Sequence, residues 1–139
     1  MTHNYTRLFY HFVWSTWGRT PLLVGDVAER AYAVIRSQCK VQEGKVFALG
    51  GIENHVHLLV GLPATRDLPE FIKNVKGVSS RTLNQCYGRS AWSFKWQGRY
   101  GVTTVSPAHM SRIKRYIENQ KQHHATGDLW PLSEQIETD

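Results

Sequence analysis

The chain has 139 residues, with 41% hydrophobic and 20% charged side chains, a balance typical of one globular domain with a substantial core and unlike that of a disordered chain. Its 17 Lys and Arg residues outnumber 11 Asp and Glu residues and give a net charge of +6, which favours a polyanionic partner such as nucleic acid. Cys39 and Cys86 lie far apart, outside any CxxC pattern, which argues against a zinc knuckle or a disulfide framework and suits a reducing cytosol. No apolar stretch approaches the ~20 residues of a membrane span, so we expect a cytoplasmic protein without membrane contact.

The first half of the chain predicts one strand, one helix and a pair of strands. Aromatic and β-branched residues indicate a strand over residues 8–16. Asp26 is placed to cap a helix over residues 27–40, whose apolar side chains recur with helical spacing. Two further strands, over 45–52 and 55–62, are separated by two residues and predict a hairpin.

The second half predicts a helix, a strand and a final helix. Residues 68–84 carry apolar side chains spaced for burial along one helix face, and 88–98 follow as a long aromatic loop. Residues 100–105 alternate as a fourth strand. Ser106 and Pro107 supply an N-cap and a proline at the first position of a helix that we expect to run to about His124.

This order of elements, β-α-β-β-α-β with one extra helix, is that of a ferredoxin-like α+β sandwich. Its antiparallel sheet is expected to have helices on one face and to be open on the other, with the C-terminal helix added to it. We expect one domain over residues 1–139, with its core over 5–124 and a loose tail over 125–139.

His55 and His57 are the clearest candidates for chemistry. Residues i and i+2 of a strand share a face and lie roughly 7 Å apart. If Val56 and Leu58 face the helices, the two imidazoles lie on the open side of the sheet, where a ligand can reach them. Such a pair is half of a divalent metal site, although two hydrogen-bonded surface histidines would give the same pattern.

Two other classes of histidine enzyme are excluded by the residues that follow this pair. A histidine-triad nucleotide hydrolase would have a third histidine at position 59, which is Leu59. A zinc hydrolase of the HxHxDH type would continue with Asp and His, whereas Leu59 and Val60 occupy that stretch.

The final helix brings a tyrosine and a glutamine to one flank. At ~100° per residue, Met110, Ile113 and Ile117 form the buried stripe, and Tyr116 and Gln120 lie beside it about 40° apart. Tyrosine is a possible nucleophile for phosphate chemistry. Taken alone, Tyr116 is also explained as an amphipathic anchor at the edge of the core, and Gln120 as a solvated helix residue.

Together these segments resemble a known family. Residues 53–60 strongly resemble the HUH motif (histidine, bulky hydrophobic, histidine) of the single-tyrosine, IS200-like transposases of bacterial and archaeal insertion sequences. Residues 115–120 resemble the nucleophile helix of that family, with Tyr116 four residues before Gln120. Further family-like segments follow in the expected order at 10–14, 71–73, 76–80, 96–100 and 103–105. The likeness covers residues 5–124.

The resemblance implies a mechanism. His55, His57 and Gln120 would hold Mg²⁺ or Mn²⁺, and Tyr116 would attack a DNA phosphate, leaving a 5′-phosphotyrosine and a free 3′-hydroxyl that can reverse the step. The protein would then be a transposase that nicks and joins strands and acts as a homodimer. Because all three ligands are neutral, we expect the bare metal site to be weak. Arg112 and Arg115 are placed to favour the phenolate.

The implied substrate is single-stranded or hairpin DNA. Trp92, Trp96 and Tyr100 offer planes on which unpaired bases can stack, at ~1–3 kcal/mol each. Core tryptophans and a solvated charged face would explain the same residues. The cations that we expect to contact the phosphates are Lys73, Lys76, Arg81, Lys95, Arg99, Arg112 and Arg115.

The main alternative is a non-catalytic or domesticated single-stranded nucleic-acid-binding protein of the same fold. Residues 99–102 faintly resemble the RNA-recognition RNP1 pattern, but Thr103 and Val105 stand where its aromatic residues should follow. A domesticated transposase would have the same catalytic set. His11, in the first strand, is expected to have a hydrogen-bonding role rather than a catalytic one.

Overall fold

The computed structural model describes residues 5–88 and 92–120 as a four-stranded antiparallel sheet with helices on both sides. The strand order is β2-β3-β1-β4, and every neighbouring pair is antiparallel. This is the ferredoxin-like α+β arrangement expected from the order of elements, and the predicted fold class is confirmed. The elements are β1 (Phe9–Ser15), α1 (Gly25–Val41), β2 (Lys45–Ile52), β3 (His55–Gly61), α2 (Leu68–Tyr87), β4 (Gly101–Val105) and α3 (Met110–Glu118), with short 3-10 turns at Trp17–Arg19 and Pro107–His109.

The larger core lies between the sheet and the first two helices. Alternate residues of β1 and β3 point to this side because side chains alternate along a strand, and the buried faces of α1 and α2 pack against them. These core residues include Phe12, Trp14, Val56, Leu58 and Val60 from the strands and Ile35, Phe71, Val75 and Leu83 from the helices.

Each of the three helices differs from its predicted range at one end or both. Asp26 lies in the first turn of α1 rather than at its N-cap, which is Val24; in that turn a carboxylate still complements the helix dipole. Asp67 caps α2 by accepting a hydrogen bond from the Glu70 backbone N–H at 3.0 Å, and α2 runs three residues beyond the predicted end. Ser106 precedes a 3-10 turn, so that α3 begins only at Met110.

The opposite face of the sheet is covered by α3, contrary to the prediction of an open face. Tyr116 and Ile117 of α3 pack with Ala48, Leu59 and Val105 of the strands in a second, smaller cluster. The sequence predicted a buried stripe on this helix but did not indicate what covers that stripe, which is the second face of the sheet. The predicted end of this helix near His124 and the tail over 125–139 lie outside the described residues.

Gly50 explains how α3 comes so close to the sheet. A Cβ atom built on Gly50 would lie 2.7 Å from the backbone oxygen of Ile117, so any larger residue would push the helix away.

Within residues 5–88 and 92–120, no helix is both long enough and apolar enough to cross a membrane.

Candidate active site

His55 and His57 lie on β3, an inner strand of the sheet, and project toward α3. Each is fully buried, and their ring centroids are 5.1 Å apart. Strand alternation therefore puts both rings on one face, as the sequence predicts. The prediction that a ligand can reach the two rings is wrong for this structure, because α3 covers them.

The last turn of α3 places Tyr116 against these two rings, and Gln120, just beyond the end of the helix, lies there too. The Gln120 Oε1 atom lies 3.2 Å from His55 Nε2, and the Tyr116 ring packs edge-on against His57 with centroids 5.8 Å apart. Only 2% of Tyr116 and 1% of Gln120 is exposed. The structure thus brings together all four residues that the sequence suggests for metal binding and nucleophilic attack.

Two further side chains contact the outer nitrogens of the imidazoles. The Nδ1 atom of His55 lies 2.9 Å from Asn54 Oδ1, and the Nδ1 atom of His57 lies 2.9 Å from His11 Nε2. The hydrogen-bonding role expected for His11 agrees with this contact. Asn54 was missed as a contributor, and its only sequence signal was its position directly before the His-Val-His segment.

The chemistry of these donors fits a divalent cation. An amide oxygen only accepts, so Asn54 Oδ1 fixes the proton of neutral His55 on Nδ1 and leaves a lone pair on Nε2. That lone pair faces Gln120 Oε1, a second acceptor, and two acceptors facing each other at this distance are well matched to a shared cation. Among the described residues, no group of three His, Cys, Asp or Glu side chains is arranged for a metal, so the glutamine amide is needed to complete a three-ligand set.

A cleft of about 730 Å³ opens beside Gln120. Gly50 and Gly51 of β2 line it together with Ile117 at the end of α3, and Leu23 and Tyr32 form an apolar wall. Tyr116 itself is buried, and the cleft reaches the end of α3 at Ile117 rather than at the tyrosine.

The predicted phosphate-binding cations do not form one surface. Arg112 and Arg115 are exposed on α3, whereas Lys73 and Arg81 are exposed on α2, across the sheet. The basic loop residues Lys95 and Arg99 are also exposed, and the Lys95 ammonium lies 4.0 Å from the centroid of the Trp17 ring.

The Lys76 ammonium is held by hydrogen bonds within the protein. It donates to the backbone oxygens of Gln97 at 2.5 Å and Arg99 at 3.0 Å. Burial lowers the pKa of Lys76 from 10.5 to about 8, since desolvation disfavours the charged form. Lys76 therefore holds the aromatic loop against α2 and has less capacity to bind a phosphate than the sequence suggests.

Trp96 is a core residue, which corrects the expectation that it stacks on unpaired bases. Its side chain is 5% exposed, and its indole N–H donates to Ser79 Oγ at 2.9 Å. Its ring packs edge-on against Phe94 with centroids 4.6 Å apart. The other two predicted planes, Trp92 and Tyr100, are partly buried against the same core.

Comparisons with known proteins agree along most of the chain. A family model described as "Transposase IS200 like" matches residues 4–120. The ISDra2 transposase TnpA of Deinococcus radiodurans is 30% identical over 118 residues, covering 82% of this chain and 84% of the relative. The crystal structure of a candidate transposase from Deinococcus radiodurans is 31% identical, with a TM-score of 0.70 over 86% of this chain and 95% of that one. A REP-associated tyrosine transposase bound to a REP hairpin shares the fold, with a TM-score of 0.63 at 15% identity over 96% of this chain and 81% of that one.

Proposed function

Because this chain belongs to the IS200-like transposase family, we propose that it cuts and rejoins single-stranded or hairpin DNA through a covalent bond to Tyr116. The observation that carries this proposal is the convergence of Tyr116 and Gln120 from α3 on His57 and His55 from β3. The proposed nucleophile and the proposed neutral metal ligands meet there, on elements that are about sixty residues apart in sequence.

Tyr116 acts as the nucleophile in the proposed reaction. Its phenolic oxygen forms a bond to the scissile phosphorus, the bond from phosphorus to the DNA 3′-oxygen breaks, and the released 3′-oxygen takes up a proton while the phenol loses one. The product is a 5′-phosphotyrosine and a free 3′-hydroxyl. Since one phosphodiester replaces another, the step is reversible without ATP, which allows strands to be joined as well as cut.

The phenol needs help to ionise because its ordinary pKa is about 10. Arg112 and Arg115 lie four and one residues before Tyr116 on the same helix and are exposed, so we expect them to contact the substrate phosphate and, with it bound, to favour the phenolate. His55, His57 and Gln120 would hold Mg²⁺ or Mn²⁺. When bound there, the ion would polarise the scissile phosphate and offset the charge on the leaving oxygen.

DNA is the proposed partner on grounds of charge as well as family. The net charge of +6 and the exposed cations Lys73, Arg81, Lys95 and Arg99 suit a phosphate backbone. A structural relative is bound to a REP hairpin, which supports a hairpin substrate for this chain. Burial of Trp96 weakens the alternative of a non-catalytic module that holds bases on a stacking platform.

We further propose that the protein works in the cytoplasm as a homodimer. The free thiols of Cys39 and Cys86 suit that compartment. In the single chain, α3 packs on its own sheet. In a dimer, two arrangements are open: the tyrosine helix stays on its own sheet, or it packs on the sheet of the partner. We expect light scattering to give twice the mass of the chain, and a strict monomer at high concentration would remove the second arrangement.

The direct test of this function is formation of a covalent adduct. Purified protein is incubated with single-stranded DNA carrying a hairpin and with Mn²⁺, and the products are separated under denaturing conditions. We expect a protein–DNA adduct with the wild type and none with Tyr116→Phe, which keeps the ring but lacks the nucleophilic oxygen. Cleavage by Tyr116→Phe at the wild-type rate would show that the nucleophile is wrongly assigned.

A further inference from the structure

His11 contacts His57 because of the pairing between β1 and β3. In the observed register Val13 is opposite His57 and His11 is opposite Leu59, so His11 and His57 are diagonal neighbours on the face that α3 covers. Diagonal pairs are within reach of ring side chains, and here the two ring centroids are 5.1 Å apart. Only 2% of His11 is exposed, so the contact is shielded from water.

The hydrogen bond between His11 Nε2 and His57 Nδ1, 2.9 Å long, can be made in two ways by neutral rings. If His57 Nδ1–H donates, His57 Nε2 keeps a lone pair and can bind a cation. If His11 Nε2–H donates, the proton of His57 is on Nε2, and that atom cannot be a ligand. The identity of the donor therefore decides whether His57 can join the proposed metal site.

The neighbouring histidine indicates which arrangement the site needs. His55 has its Nδ1 atom against Asn54 Oδ1, which only accepts, and its Nε2 atom toward Gln120 Oε1. His57 likewise has its Nδ1 atom against a partner side chain, and its Nε2 atom is on the ring edge away from His11. Metal-binding histidines almost always donate their second ring N–H to a neighbouring acceptor, which fixes the tautomer and the ring orientation.

We propose that His11 is a positioning residue: it accepts the Nδ1–H of His57 and so keeps His57 Nε2 unprotonated and able to bind a cation. This inference rests on the proposed function, because it assigns His11 a task in preparing the metal site of that function. His11 itself does not touch the reacting atoms. Asn54 Oδ1, at 2.9 Å from His55 Nδ1, performs the same task for His55.

The tautomer can be read directly in the metal-free protein by NMR of ¹⁵N-labelled histidine. We expect His57 to carry its proton on Nδ1 and to show an unprotonated Nε2. A His57 ring with its proton on Nε2 would overturn the proposal. This readout needs neither metal nor DNA, so it stands or falls separately from the covalent-adduct test of the proposed function.

A pair of variants tests the consequence for metal binding. His11→Leu removes the acceptor, and we expect it to weaken Mn²⁺ binding, measured by calorimetry, by about 10–100-fold. His11→Gln offers an amide oxygen and should stay much closer to wild type. His109→Leu, at an exposed position on the turn before α3, is the matched control and should bind like wild type.

Equal Mn²⁺ affinity in His11→Leu and wild type would contradict the proposal. So would an equal loss in His11→Leu and His11→Gln when both melt at the wild-type temperature, because a merely structural role would not distinguish an acceptor from an apolar side chain. If His11→Leu fails to fold, the tautomer of His57 measured by NMR in the wild type decides whether the proposal holds. Failure of the wild type itself to bind Mn²⁺ would count against the proposed function instead.

Discussion

The two faces of the sheet hold different kinds of interior. On the side of α1 and α2, large apolar side chains such as Phe12, Trp14 and Phe71 pack in a continuous core. On the side of α3, a small apolar cluster adjoins buried polar groups, among them His57 and Gln120. The first face stabilises the fold by removing apolar area from water, whereas the second buries hydrogen-bonded groups that the proposed reaction must uncover.

The helices on the two faces differ accordingly. α1 and α2 have 17 and 20 residues, and α3 has nine described residues. A short helix held by few apolar contacts can open at a lower free-energy cost than the whole domain unfolds. Stability and proposed chemistry therefore lie on opposite sides of one sheet, and we expect the site to open while the main core stays intact.

The largest expected effect comes from the first face. Phe71 is fully buried between α2 and the sheet, and Phe71→Ala should lower the free energy of unfolding by about 3–5 kcal/mol because it leaves a cavity. Ile113→Ala on α3 should cost clearly less, since that side chain is only half-buried. Urea unfolding of both variants measures the difference, and equal losses would mean that the two faces contribute alike.

An intermediate effect is expected where α3 meets the sheet. Gly50→Ala places a methyl group 2.7 Å from the Ile117 backbone oxygen, and such overpacking costs about 1–3 kcal/mol. We expect the amides of α3 to exchange with solvent faster while those of β1 and β3 keep their protection, as measured by hydrogen exchange.

Gly77→Ala is the matched control for that substitution. Gly77 is exposed in α2, and a Cβ atom there would have nothing within 4 Å. In a helix interior this change should stabilise the protein by about 0.5–1 kcal/mol. Unchanged exchange of α3 in Gly50→Ala would show that the close approach at Gly50 does not hold the helix in place.

The smallest effect concerns the pH dependence of the first face. Burial lowers the pKa of Lys76 to about 8 in the folded protein, from 10.5, so between those values the unfolded chain binds more protons and stability rises with pH. Relative to Lys76→Met, wild type should therefore gain stability between about pH 8 and about pH 10.5. A flat difference between wild type and Lys76→Met over this pH range would contradict the assignment.

The regular elements could be predicted because alternation and helical spacing depend on local sequence. Residues 45–52 were predicted with both ends correct, and no other strand end moved by more than one residue. The His-Val-His segment could likewise be placed on one face of a strand, since Val56 had to enter the core. Such patterns indicate which side of a helix or strand is buried. They do not indicate which other element packs against that side.

The arrangement across elements could not be predicted in the same way. Tyr116 and Gln120 were expected beside the buried stripe of α3, but both are buried because polar partners on β3 meet them there. The contact of His11 with His57 depends on the register of β1 against β3, which no local pattern records. Trp96 seemed to be a surface aromatic in a loop, whereas that loop folds back to give its indole N–H a partner in Ser79.

The central claim is that Tyr116, brought against His57 by α3, is the residue that becomes joined to DNA. The most direct measurement is mass spectrometry of the proteolysed wild-type protein after reaction with hairpin DNA and Mn²⁺. The account predicts a nucleotide remnant, linked through a 5′-phosphate, on the peptide that contains Tyr116. A remnant on another residue, or DNA cleavage with every peptide unmodified, would contradict it.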